Sequence, residues 1–377
     1  MKNKIWLSSP HMSGTEQNFI QEVFDTNWIA PVGDQLMNFE TDLENFLGNQ
    51  SHVLAVNSGT AAIHLALKLL GISKGDEVLC QSFTFCASAN PILYEGAIPI
   101  FIDSEDLTWN LSPYLLEKAI KNRLKNGIKP KAIIAVDSYG MPFKVSAVRA
   151  IANKYEIPII EDAAGALGSK VADIPCGTLA EFGVISFNGN KIITTSSGGA
   201  LISTSKNMKA KALFFATQAR DVASHYQHSE IGYNYRMSNV LAGIGRGQLT
   251  VIDERVQARR AIFEFYKKEL QGCNELKFLE EPKGYYSNRW LSCIQTPSFE
   301  VREKIRIALD LEGIEARPLW KPLHLQPIFQ DYLAFTNGVA EELFANGLCL
   351  PSGSNLTEFD LFRITNCIKK ALKKEQL

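Results

Sequence analysis

A lysine at residue 191 closes a glycine-interrupted turn, Ser186-Phe187-Asn188-Gly189-Asn190-Lys191, between a short apolar strand and the run Ile192-Ile193-Thr194-Thr195-Ser196-Ser197-Gly198-Gly199. An ammonium in such a place loses its proton when desolvated, and a Gly/Asn/Thr turn lets backbone N–H groups approach an anion. Taken alone it reads as a solvated surface lysine. Three other stretches carry compatible chemistry. Ser58-Gly59-Thr60 lies where a strand ends and a helix opens, which suits a phosphate or a plain N-cap. Glu161-Asp162-Ala163-Ala164 puts an acid at a strand's carboxyl end, as a ligand group or a helix cap. Phe85 follows the strand ending at Cys80-Gln81 and reads as a ring-stacking or a core residue. Lysine, acid, aromatic and phosphate turn together are what pyridoxal 5′-phosphate requires: an amine for a Schiff base and a carboxylate for the pyridinium nitrogen.

These residues need a scaffold of strand ends, and the sequence supplies one. From Val53 onward strand, turn and helix repeat: strands are expected at 53–56, 77–80, 98–102, 132–136, 158–161 and 182–187, with another at 200–202. Helices are expected at 61–70, 87–94, 113–125 and 145–154. Short continuous apolar strands indicate an α/β domain with a mostly parallel sheet. Two N-terminal helices, 15–25 and 35–47, flank Trp28-Ile29-Ala30-Pro31-Val32-Gly33. A small-residue helix at 239–249 runs into a charged segment, 253–271, expected to be a solvated linking helix. Beyond it a smaller α+β domain is expected, with a strand at 289–295, a helix at 302–312 and a last helix capped by Thr357-Glu358-Phe359-Asp360. The expected division is 1–250 for the large domain and 251–377 for the small one.

Composition narrows the function. The 377 residues carry a formal net charge of −1 with both signs interspersed, so nothing marks a nucleic-acid or membrane-surface binder. Seven dispersed cysteines show no metal-ligand spacing, and no metal site is expected. Their pattern, with no apolar run of spanning length and too few apolar residues after Met1 for a signal peptide, points to a cytoplasmic protein.

The whole chain resembles the DegT/DnrJ-type sugar aminotransferases, and within them the exopolysaccharide-biosynthesis subgroup of EpsN type. The likeness runs through the stretches above and also through Ser8 to Gly14, Gln81-Ser82-Phe83-Thr84-Phe85, Gly232-Tyr233-Asn234-Tyr235-Arg236-Met237-Ser238-Asn239 and Arg317-Pro318-Leu319-Trp320-Lys321-Pro322-Leu323-His324. It implies a fold-type I aspartate aminotransferase-like architecture, with a mostly parallel seven-stranded sheet in the large domain. Lys191 matches the Schiff-base lysine, Asp162 the pyridine partner and Phe85 the stacking ring. Gly59, Thr60, Ala61 and Ser186 match the phosphate side. Asn234 matches a residue that reaches the neighbouring subunit's phosphate, implying a homodimer with shared sites. Trp28, Asn188, Arg236, Lys321 and His324 are the implied substrate-binding residues.

Two positions depart from the family pattern. Gly165 stands three residues after Asp162, where the family carries Gln, His or Glu, and is expected to leave room for a water or a larger substrate group. Ser197 replaces a glycine. The implied reaction moves an amino group from L-glutamate to a UDP-linked 4-keto-6-deoxy sugar nucleotide, passing through pyridoxamine phosphate. The rivals are a sugar-nucleotide sensor without catalysis and a cofactor-dependent sugar dehydratase, which in this family replaces the lysine with histidine.

Overall fold

The computed structural model describes residues 3–48, 50–273 and 276–373. Seven strands form the main sheet: β1 (His52–Val56), β2 (Glu77–Gln81), β3 (Ile98–Ile102), β4 (Ala132–Val136), β5 (Ile159–Asp162), β6 (Phe182–Ser186) and β7 (Gly199–Ser203). The order is β1-β7-β6-β5-β4-β2-β3, and only β7 runs against its neighbours. The carboxyl ends of β2, β4, β5 and β6 therefore open on one edge, where open α/β sheets bind ligands. Alternate residues of each strand enter different cores: Ile133, Ala135, Ile159 and Ile185 one, Ile134, Val136, Ile160 and Val184 the other. Both faces are covered, which is why the strands read as unbroken apolar runs.

Helices α1 (Glu16–Asp25) and α2 (Asp34–Leu47) precede the sheet, and α3 (Gly59–Leu69) follows β1. α4 (Pro113–Lys125) and α5 (Val145–Tyr155) make the crossovers flanking β4. The helix expected at 87–94 is broken into a 3₁₀ turn, Cys86–Ser88, and a short helix, Asn90–Tyr94, with a proline in its first turn. Proline needs the first turn of a helix, so the break falls just before it.

After α6 (Asn239–Leu249), the charged helix α7 (Ile252–Glu269) departs from expectation. It is not solvated all round: Arg255, Val256, Arg259, Ile262, Phe263 and Tyr266 are buried. Two arginines on the inner face hide its amphipathic stripe from a charge count. A second sheet, ordered β8-β9-β12-β10, combines β8 (Lys277–Phe278), β9 (Ser292–Gln295), β10 (Arg317–Pro318) and β12 (Gly347–Leu350). Its core joins Ile294 and Leu348 to Ile262 of α7, Ile305 of α8 (Phe299–Leu311) and Ile364 of α9 (Glu358–Leu372). Thr357 and Asp360 form the expected reciprocal cap of α9.

The chain crosses the expected boundary at 250 in both directions. Ile5 bridges to Ile314, and β11 (Ala334–Phe335) adds an eighth strand to the main sheet beside β3. The strand expected at 289–295 starts only at Ser292, because Arg289 has φ +52° and the Asn288 side chain holds the Trp290 amide at 2.8 Å. That left-handed turn aims Trp290 across the top of the main sheet.

Candidate active site

A cavity of about 320 Å³ lies at the strand-end edge, lined by Ser58, Gly59, Thr60, Phe85, Asp162, Gly165, Ser186, Asn188 and Lys191. The fold thus brings together most of the residues singled out in the sequence, from four separate strand ends.

Asp162, the last residue of β5, is 5% exposed. Its carboxylate accepts from the Ser88 hydroxyl at 2.6 Å and the Ala164 amide at 3.1 Å. Burial raises its pKa, and these hydrogen bonds and the charge of Lys191 pull it back down. A cation set against this carboxylate would favour its ionised form further. Lys191 is held by the turn, its amide donating to the Asn188 carbonyl at 2.9 Å. Burial brings its pKa down to about 8, opposed by Asp162.

The phosphate side is built by close backbone approach. Ser58 caps α3 by accepting from the Ala61 amide at 3.0 Å. The amides of Gly59 and Thr60 sit in the first turn, where helix N–H groups have no partner within the helix. A Cβ at Gly199, the first residue of β7, would stand 2.4 Å from the Gly59 nitrogen, so only glycine lets the helix start come so near. Ser186 abuts this start, 3.2 Å from where a Gly59 Cβ would be. Ser197, the smaller departure, lines the cavity and donates to the Asn57 carbonyl at 3.2 Å.

The far side of the cavity is aromatic. Phe85 is 60% exposed at its mouth, and is not a core residue. Trp290 and Trp320 line the cavity too, and Trp320 stacks on Tyr139 with centroids 4.2 Å apart. The room expected beside Gly165 does not exist: the Trp290 indole fills it, 2.5 Å from where a Cβ would lie. Trp290 and Ser88 escaped the sequence reading. Trp290 carries no local signal, being about a hundred residues from Lys191, and Ser88 sat inside an expected helix.

Other expected residues fall outside this cavity. The Ala61 amide is spent on the Ser58 cap. Arg236 turns inward to ion-pair with Glu40 and donate to the Ala55 carbonyl at 2.8 Å, so its guanidinium is engaged within the chain. His324 is held between Ser82 at 2.7 Å and Glu341 at 3.2 Å, which fixes the loop before Phe85. Lys321 lines a neighbouring cavity of about 440 Å³ with Phe85 and Trp320. Trp28 and Asn234 are exposed away from the cavity.

Behind Asp162, ligand atoms of Asp137, Glu161 and Cys176 come within 4.8 Å of one another. Glu161 accepts from the Gly177 and Leu179 amides at 2.6 and 2.8 Å, and Asp137 from Phe143 at 3.0 Å. Burial raises the Asp137 carboxyl and the Cys176 thiol well above their usual ranges, and Glu161 to about 7.

A buried amine, a buried carboxylate and an amide-lined helix start in one cavity are the donor set that pyridoxal phosphate calls for, and the residues fit it. The sequence comparison decides the family: residues 10–369 match the DegT/DnrJ/EryC1/StrS aminotransferase family. The chain belongs to this family. As a DegT/DnrJ/EryC1/StrS aminotransferase it is a pyridoxal phosphate-dependent enzyme of the sugar aminotransferase class. EpsN of Bacillus subtilis, provisionally named a pyridoxal phosphate-dependent aminotransferase, is 52% identical, over 97% of this chain and 95% of that protein. GDP-perosamine synthase of Escherichia coli O157:H7 is 36% identical over 96% of each chain. A crystal structure of a DegT/DnrJ/EryC1/StrS aminotransferase from Brucella abortus matches with a TM-score of 0.90 at 29% identity, covering 96% of each chain. The fold is the α/β, fold-type I architecture expected from the sequence. Among the described residues no helix is long and apolar enough to cross a membrane.

Proposed function

We propose that the enzyme moves an amino group from L-glutamate to a 4-keto-6-deoxy sugar nucleotide, UDP-linked, for exopolysaccharide, capsule or glycan assembly in the cytoplasm. The observation that carries the catalytic part is the meeting of Lys191 and Asp162 in one cavity with the start of α3. The similarity to EpsN supports the subgroup. The name of GDP-perosamine synthase supports a nucleotide-linked sugar and makes GDP the competing nucleotide.

In this reading the bound cofactor supplies an electrophilic carbonyl and a ring that accepts electrons. Asp162, fixed by Ser88 and Ala164, holds the ring nitrogen and keeps its proton in place. The Gly59 and Thr60 amides with Ser186 take the phosphate. Lys191 would hold the cofactor, and its freed Nζ would take the proton from the donor's α-carbon and deliver it to the cofactor, with the reverse transfer for the sugar. A pKa of about 8 suits that work, because it lies within about one unit of neutral pH, where the amine can both take and give a proton. Phe85 covers the ring face. Asn188 and Lys321 contact the sugar nucleotide from the cavity and its neighbour.

The active unit is a homodimer, with Asn234 and Trp28 completing the partner's site. Asn234 is exposed outside its own chain's cavity, and Trp28, Ile29, Tyr226 and Ile231 are 54%, 53%, 79% and 76% exposed. Apolar groups in such number on one chain suit a covered interface. Residues 1–250 and 251–377 act as the large and small domains.

Incubation with L-glutamate and a panel of UDP-, GDP- and dTDP-linked 4-keto sugars, read by mass spectrometry, tests the substrate. Amination of the UDP sugar in preference to the others is expected. Preference for the GDP sugar would overturn the nucleotide assignment, and binding of sugars without amine transfer would favour the sensor.

A further inference from the structure

An indole from the second half of the chain faces the Lys191 amine. The Nζ lies 3.7 Å from the Trp290 ring centroid. Trp290 is 4% exposed and is held by three hydrogen bonds. Its Nε1 donates to the Asn190 carbonyl at 2.7 Å, and its carbonyl accepts from Arg259 at 2.6 Å. Its amide donates to the Asn288 side chain at 2.8 Å, and that side chain donates to the Gly165 carbonyl at 2.9 Å. The ring is thus tied to the lysine turn on one side and to the residue after the Asp162 strand on the other. A Cβ at Gly165 would meet Cε3 at 2.5 Å and Cζ3 at 3.0 Å, both ring atoms with nowhere to bend.

We propose that Trp290 is a positioning residue for Lys191, and that position 165 is glycine because the indole occupies the space a side chain there would take. This rests on Lys191 being the Schiff-base lysine. The ring face attracts an ammonium and has no such effect on a neutral amine, so it favours the protonated lysine against the burial that drives it down to about 8. The other titratable groups near Lys191 are Asp162 at the end of β5, Asp137 after β4 in the same cavity, whose carboxyl burial raises well above its usual range, and Arg259 of α7, which reaches the Lys191 carbonyl at 3.4 Å. Asp162 is the only one of these whose charge raises the amine's pKa. The indole adds to that effect without titrating itself, and the polar side chain that the family carries at position 165 is displaced by it.

The test uses the full chain freed of cofactor, with pyridoxal phosphate as the probe. The rate of imine formation, followed by visible absorbance against pH, gives the midpoint at which Lys191 loses its proton. Trp290→Leu keeps an apolar wall and removes the ring, and should lower the midpoint by roughly half to one pH unit. Trp290→Phe should restore most of it. Gly165→Gln should displace the indole and shift the midpoint in the same direction, and adding it to Trp290→Leu should shift it no further. A purely structural tryptophan would lower the melting temperature and leave the midpoint unmoved, which overturns the proposal. If Trp290→Leu does not fold, Gly165→Ala decides, since its Cβ alone forces the ring to move. Borohydride reduction of each sample locates the imine. Attachment elsewhere than Lys191 refutes the catalytic reading, whereas attachment at Lys191 with an unmoved midpoint refutes this inference alone.

Discussion

On the floor of the cavity each reactive group leaves a strand end of the main sheet within a few residues: Asp162 ends β5, Ser186 ends β6, and Lys191 and Ser58 sit in the turns that follow β6 and β1. On the wall, Trp290 and Trp320 arrive from loops beside the second sheet, and Arg259 ties that side to the Lys191 carbonyl. The floor is held by backbone geometry that the parallel sheet dictates. The wall is held by long-range hydrogen bonds between segments about a hundred residues apart. In the function proposed above, chemistry is set on the floor, and the wall adjusts its pH range and substrate fit.

Substitutions on the floor should be the most damaging. Lys191→Ala removes the amine and should cut amine transfer by about 10⁴-fold in single-turnover assays, with the chain still folded by circular dichroism. Asp162→Asn keeps the shape and the Ser88 contact but loses the charge, and should cost roughly 10²-fold or more in kcat. A loss from Asp162→Asn confined to KM would mean that the carboxylate serves binding alone.

The pH profile separates the two regions more finely. In the cofactor-free chain Lys191, with its pKa brought down to about 8, should make the rate of imine formation with added pyridoxal phosphate climb about tenfold per pH unit below 8 and level off above it. A rate flat from pH 6 to 9 would mean that the amine forming the imine is not Lys191. Arg236 lies outside both regions. Arg236→Met breaks a buried ion pair with Glu40 and should lower stability by about 3 kcal/mol in denaturant titrations, with kcat/KM changed less than about threefold. A large rise in KM with stability intact would return Arg236 to the substrate.

The contrast also explains what the sequence disclosed. Strands covered on both faces, a lysine turn, an acid at a strand end and a helix start are local patterns, so the meeting of Lys191, Asp162, Gly59 and Thr60 in one cavity was legible from their neighbours, and that of Ser186 from the family resemblance. Trp290 was not. Its role depends on the Asn288 side chain and the left-handed turn at Arg289, which no periodicity announces, and on packing against Gly165 from the opposite half of the chain. Gly165 was noticed as a departure but misread as empty space, because a missing side chain looks like room until its neighbour is known. Arg236 is a related case: a charged residue inside a recognised motif gives no sign of an intrachain carboxylate partner 196 positions away. The solvated reading of α7 failed because Arg255 and Arg259 face inward.

The most direct test of the account is reduction of the holoenzyme with borohydride, followed by proteolysis and mass spectrometry. The account predicts that the visible absorbance disappears and that the pyridoxyl mass is found on the peptide carrying Lys191. A pyridoxyl group on any other lysine, or none at all in a protein that still transfers amines, would contradict it.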